Sequence, residues 1–204
     1  DDAALAKNNS LAAFCILLDL AAALVGLFLA AALILIFAHR FDWSDDFTIS
    51  ALLFSAVMQL SIKSSAIGLL RLYDRFRDGA LAAAVIPLVR LLGALCAWAF
   101  APTVTGFLAA WAVAELAATA AHWLFVRLKT PVRPTQTSLA AMKAVPASHD
   151  RFYKFAFVTN AGTTLKSVAQ QVPLLVVGFV VGPAAAGFFR LAYQLKEAAA
   201  RFAE

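Results

Sequence analysis

Between Leu11 and Ala38 the chain runs for 28 residues with a single charged side chain, Asp19. About 20 apolar residues in a helix cross the hydrocarbon of a bilayer. Within lipid, only helices and closed barrels satisfy their own backbone hydrogen bonds. The run is rich in Ala and Leu and lacks the alternation of a barrel strand, so it reads as a membrane helix. It is too long and too poorly flanked to be a signal peptide.

The pattern recurs along the chain. The spans expected are Leu11–Ala38, Phe47–Leu70, Gly79–Ala101, Val104–Val126 and Phe155–Val181. A sixth begins near Pro183, after a tight turn at Gly182-Pro183. A composition of 63% hydrophobic and 14% charged residues agrees with this. The expected fold class is all-α, a polytopic transmembrane helix bundle. With no Met at position 1, a polar opening segment and an end inside a helical pattern, the sequence reads as a piece of a longer polytopic protein. Cys15 and Cys96 lie in apolar runs without CxxC spacing and are expected to be buried free thiols.

Charge fixes the orientation. Residues 1–10, 71–78 and 127–154 fall on one side of the membrane and hold Lys7, Arg71, Arg75, Arg77, Arg127, Lys129, Arg133, Lys143, Arg151 and Lys154. The opposite loops hold only Arg40. Lys and Arg favour the cytoplasmic side, which places the N-terminal end of this sequence inside. The net charge of +5 follows from that bias and calls for no nucleic-acid partner. Residues 127–154, with Pro131, Pro134 and Pro146, read as an inner linker between residues 1–126 and residues 155–204.

Some charges cannot be assigned to loops. Asp19, Lys63, Arg90, Glu115 and Lys166 lie within the spans, where a charge at the centre costs about 2.5–3.5 kcal/mol on insertion scales. At ~1.5 Å per residue from the inner end, Arg90, Glu115 and Lys166 sit roughly 16 Å deep, Asp19 about 12 Å and Lys63 about 10 Å. Such residues face a bundle interior or a wet cavity, or pair with one another. Asp19 or Glu115 with Arg90 would be a structural ion pair, and the lysines can also snorkel. Ser55, Gln59 and Lys63 recur every four residues on one face of the second span. Thr159, Thr163, Lys166, Gln170 and Pro173 form a stripe on the fifth, and Glu115 and His122 share a face of the fourth. Pro87 is expected to kink the third span one turn before Arg90.

No HExxH, Walker A, GxGxxG, GxSxG or Cys/His metal pattern occurs, so neither catalytic residues nor a cofactor are expected. His149-Asp150 reads as a solvated turn.

Asn160, Thr164, Gln170-Gln171, Leu174-Leu175, Gly178, Gly182-Pro183, Gly187-Phe188 and Leu191-Ala192 look like the seventh helix and the start of the eighth in a known family. Ser64 to Leu95, with its Arg-rich turn and Arg90 followed by Leu-Leu-Gly, is similar to its fourth and fifth helices. The sequence thus resembles the polysaccharide biosynthesis proteins, or O-antigen-type oligosaccharide flippases, of the multidrug/oligosaccharidyl-lipid/polysaccharide exporter superfamily. It departs from them at Pro173-Leu174, where many relatives carry an Asp followed by a basic residue. The resemblance implies helices three to eight of a two-lobe flippase fold in the cytoplasmic (inner) membrane. The implied cargo is a polyprenyl-diphosphate-linked oligosaccharide, moved outward by alternating access, with polysaccharide assembly proteins as possible partners.

On that reading Lys63, Arg90 and Lys166 hold the diphosphate, and Gln59, Thr163 and Gln170 meet sugar hydroxyls. Asp19 and Glu115 serve as ion-coupling groups or as a structural pair. A cation-coupled multidrug exporter, a peptidoglycan-precursor flippase and, from another class, a membrane-embedded glycosyltransferase or polymerase are the competing readings.

Overall fold

The Ala- and Leu-rich segments fold as helices throughout the structure, a computed structural model that describes residues 2–100, 102–134, 137–148 and 152–201. They are α1 (Asp2–Arg40), α2 (Asp45–Leu60), α3 (Ser64–Leu72), α4 (Phe76–Phe100), α5 (Val104–Lys129), α6 (Leu139–Ser148), α7 (Phe152–Val180) and α8 (Pro183–Arg201). Among the described residues, five helical stretches are long and apolar enough to cross a membrane: Leu5–Arg40, Asp45–Leu72, Phe76–Phe100, Val104–Lys129 and Ala156–Val180. These are the five expected spans, and the chain is an all-α polytopic membrane bundle. His149-Asp150 lies outside the described residues.

The chain divides into two units, Asp1–Val145 and Pro146–Glu204. In the first, side-chain hydrogen bonds fix which helix ends meet. Asn8 Nδ2 donates to Tyr73 Oη at 3.1 Å, and the Arg133 amide donates to Asn9 Oδ1 at 2.8 Å. The start of α1, the end of α3 and the segment after α5 therefore share one end. At the other, the hydroxyls of Ser50 and Thr105 lie 3.3 Å apart. The helices run alternately up and down, which gathers Lys7, Arg71, Arg75, Arg77, Arg127, Lys129 and Arg133 at the first end.

Small residues set the packing, as they do where helices associate without a hydrophobic drive. A Cβ on Gly93 of α4 would stand 2.8 Å from the Ala110 Cβ of α5, so these two helices approach closely. The buried stripe of α5 is Ala114, Glu115, Ala118, His122 and Val126, a helical spacing that places the expected Glu115–His122 face inward. Large side chains such as Phe28, 74% exposed, point outward where lipid would lie. Both cysteines are free, but neither is buried as expected: Cys15 is half-buried and Cys96 exposed. A thiol is apolar enough to face hydrocarbon, so a lipid-facing position requires no burial within protein.

The second span differs from expectation. Instead of one helix, α2 stops at Leu60 and α3 restarts at Ser64. Ser61 caps α2 and its hydroxyl bonds back to the Val57 carbonyl at 2.6 Å. Serines compete with the helical backbone in this way, and the sequence SIKSS concentrates three of them around the break. Lys63 therefore leaves the stripe of Ser55 and Gln59 and stands at the break.

The turn from α3 to α4 is a Schellman motif. The Asp74 amide bonds to the Arg71 carbonyl at 3.1 Å and the Arg75 amide to the Leu70 carbonyl at 2.8 Å. Asp74 takes the left-handed position, φ 54°, usually held by Gly. α4 runs on through Pro87 as a helix.

The second unit contains α7 and α8. α7 continues through Pro173 to Val180, and Gly182, at φ +116°, makes the turn that only Gly adopts freely. α8 then starts at Pro183, as expected. Residues 127–154, expected as a linker, hold the short helix α6, which the sequence pattern did not announce.

Candidate functional site

The polar centre of the first unit is built on Glu115. α5 buries it to 5% exposure, and each carboxylate oxygen takes one cation. Oε1 accepts from an Arg90 guanidinium nitrogen at 2.7 Å, and Oε2 accepts from Lys63 Nζ. Two cations and one carboxylate leave the cluster with one formal positive charge. The Lys63 and Arg90 side chains remain 25% and 35% exposed.

The helix break delivers Lys63, and its freed backbone groups are taken up by neighbouring helices. Asp19 of α1 accepts from the Ser65 amide at 3.0 Å and the Ser65 hydroxyl at 2.6 Å. It thereby caps α3 from outside, placing negative charge at the positive end of that helix. The Ile62 carbonyl accepts from Trp123 Nε1 of α5 at 2.8 Å. A non-helical backbone at membrane depth is tolerated only when its polar groups are satisfied in this way.

Arg90 has a second neighbour. Its guanidinium carbon lies 5.0 Å from the Trp111 ring centre, a cation–π contact, and that ring stacks on Phe54 at 6.1 Å. Among the described residues, the buried Arg90 Nε has no hydrogen-bond partner. A cavity of about 320 Å³ opens beside these groups, lined by Arg90, Ala94, Phe107 and Trp111 among others.

Of the residues singled out from sequence, Lys63, Arg90 and Glu115 come together. The pairing is with Glu115, so neither Lys63 nor Arg90 is a free cation. Among the described residues Asp19 joins no ion pair; it accepts from the amide and hydroxyl of Ser65 at the start of α3. Gln59 sits in the space left by Gly26 of α1, where a Cβ would meet its Oε1 at 2.7 Å. Lys166, Thr163 and Gln170 lie exposed on α7 in the second unit. The Thr163 hydroxyl is used within the helix, donating to the Thr159 carbonyl at 2.9 Å. His122 is buried, and because a carbonyl only accepts, its Nδ1 carries the proton shared with the Ala118 oxygen at 2.7 Å.

Sequence reasoning missed Ser65, Trp111 and Trp123. A Trp in an apolar span carries an N–H that needs an acceptor, and the serines of SIKSS mark where one becomes free. Among the described residues, no group of three His, Cys, Asp or Glu side chains could hold a metal ion.

No family model matches the chain. It is similar to Inner membrane protein YghQ of Escherichia coli (strain K12), with 28% identity over 202 residues. The match covers 96% of this chain and 57% of that protein, so the chain spans little more than half of that relative's length. No solved structure matches.

Proposed function

We propose that the chain is part of a multi-pass inner-membrane flippase that carries a polyprenyl-diphosphate-linked oligosaccharide to the outer leaflet for surface polysaccharide assembly. The observation that carries this reading is the Lys63–Glu115–Arg90 cluster at a helix break inside a membrane span. Isolated cations are costly at that depth, and Glu115 keeps both in place while leaving one net positive charge. A diphosphate entering the cavity competes with Glu115 for Lys63 and Arg90 and draws them away from it. Interrupted helices with satisfied backbones are where transporters build midplane sites.

Trp111, half exposed, adds aromatic surface to the wall of that cavity, and Gln59 adds a polar group to the broken span that carries Lys63. Thr163, Lys166 and Gln170 give α7 a second polar stripe of the same chemistry. A cationic drug would want a carboxylate free to receive it, whereas both oxygens of Glu115 are already taken by basic side chains. The cluster therefore favours an anionic cargo over a multidrug one.

The test uses Arg90→Gln and Lys166→Gln in the full-length protein. Polymer export is expected to stop while membrane insertion stays normal. Normal export from both variants contradicts the assignment.

A further inference from the structure

We infer that the turn between α3 and α4 forms a pocket for the phosphate of an inner-leaflet lipid head group. A cavity of about 310 Å³ lies there, separate from the Glu115 cluster. Its polar lining is Arg71, Arg75 and His122; Ile67, Leu70 and Ala83 supply apolar wall. The inference goes beyond the flippase reading and holds whether or not the protein moves lipid.

Three observations converge on an anion. The salt bridges among the described residues are the two on Glu115, so the guanidinium groups of Arg71 and Arg75 are held by no carboxylate there, although Asp74 and Asp78 lie in the same turn. The Schellman bonds from Asp74 and Arg75 to Arg71 and Leu70 fix the backbone that carries both arginines. Phe76 and Gly79, in the first turn of the 25-residue helix α4, line the same cavity. The Gly79 amide bonds to the Arg75 carbonyl at 3.0 Å, but those of Phe76 to Asp78 precede it, have no intrahelical acceptor and favour negative charge. His122, 2% exposed and with its Nδ1 proton given to Ala118, closes the inner wall of the pocket.

Location selects the ligand. The cavity opens at the end of the bundle that gathers the basic residues, which the positive-inside rule places at the cytoplasmic leaflet. Lipid phosphates lie at that level, and basic pockets between membrane helices on that side hold anionic head groups. The apolar wall suits the glycerol or prenyl carbons that follow the phosphate.

The experiment measures lipid binding by purified full-length protein in detergent. The probes are phosphatidylglycerol, a polyprenyl diphosphate and, as the phosphate-free lipid, diacylglycerol. At a factor of about five for each basic residue near the surface, Arg71→Gln/Arg75→Gln is expected to weaken phosphate-lipid binding roughly thirtyfold. Gly79→Leu, which fills the pocket without altering charge, is expected to weaken it as well. Arg127→Gln/Lys129→Gln, exposed at the same end of α5 but outside the cavity, is expected to leave it nearly unchanged. Pocket-dependent binding of phosphatidylglycerol marks a resident bilayer lipid, and pocket-dependent binding of the polyprenyl diphosphate alone marks cargo; either supports the site. Equal losses from the two double variants, unchanged binding in Arg71→Gln/Arg75→Gln, or equal binding of diacylglycerol overturns it.

Discussion

Replacing Glu115 by Ala removes the one anion that Lys63 and Arg90 share, and the order of effects among the three residues tests the cluster. Cutting one partner from a buried ion pair costs about 3–5 kcal/mol, because an uncompensated charge is left behind. Here the stranded groups are 25% and 35% exposed, and both side chains are long enough to reach partial solvation. We therefore discount the cost to about 2–3 kcal/mol, or roughly 30- to 150-fold in the unfolding equilibrium. Lys63→Met behaves differently. It leaves Arg90 and Glu115 as a one-to-one pair and is expected to cost only about 1 kcal/mol, as for one ordinary hydrogen bond. Combining the two changes leaves a single cation, so their effects are expected to be non-additive, as for residues that share a partner. The assay is equilibrium unfolding of the purified full-length protein in mixed micelles, followed by helical signal. If Glu115→Ala is tolerated as well as Lys63→Met, the carboxylate does not hold the cluster together and the reasoning fails.

Three further outcomes are expected in the same assay. Trp123→Phe strands the Ile62 carbonyl at the helix break and is expected to destabilise by about 1–3 kcal/mol; a neutral result means the break needs no donor from α5. Gly93→Leu forces side-chain atoms where a Cβ alone would already stand 2.8 Å from Ala110, at an expected cost of about 1–3 kcal/mol. Ala110→Gly in the same chain is expected to recover part of that loss, and no recovery argues against the close α4–α5 approach. Asp74→Gly relieves the left-handed backbone at φ 54° and is expected to be neutral or stabilising by up to about 1 kcal/mol, whereas Asp74→Val is expected to destabilise; the reverse order contradicts the Schellman turn.

The spans were legible because each signal was local. Apolar run length located the membrane helices, Gly182-Pro183 marked the start of α8, and the period of α5 placed Glu115 and His122 on one inward face. The Glu115–Arg90 pair was within reach because opposite charges at similar depth in an apolar bundle seek each other. The break at residues 61–63 was not legible, since the apolar residues on either side, Ala51–Phe54 and Ala66–Leu70, let the polar side chains between them be read as one face of a continuous helix. What stabilises the break lies far along the chain, in Asp19 and Trp123, and a linear pattern carries no record of that distance. For the same reason the sequence offers Asp19 only as an ion-coupling group or as half of a structural pair. Its partners in the structure are the Ser65 hydroxyl and a backbone amide that exists as a free donor only because the helix stops. The phosphate pocket was hidden in plain charge. Arg71 and Arg75 satisfied the topology rule so fully that nothing in the sequence asked for a second role.

The most direct measurement is leaflet translocation by the full-length protein reconstituted in vesicles, with a polyprenyl-diphosphate-linked oligosaccharide as the probe. Wild-type protein is expected to carry the probe to the opposite leaflet, and Arg90→Gln protein, equally well inserted, is expected to leave it where it was loaded. Failure of the wild-type protein to move the probe, or equal movement by Arg90→Gln, contradicts the assignment of Lys63, Glu115 and Arg90 to the transport path.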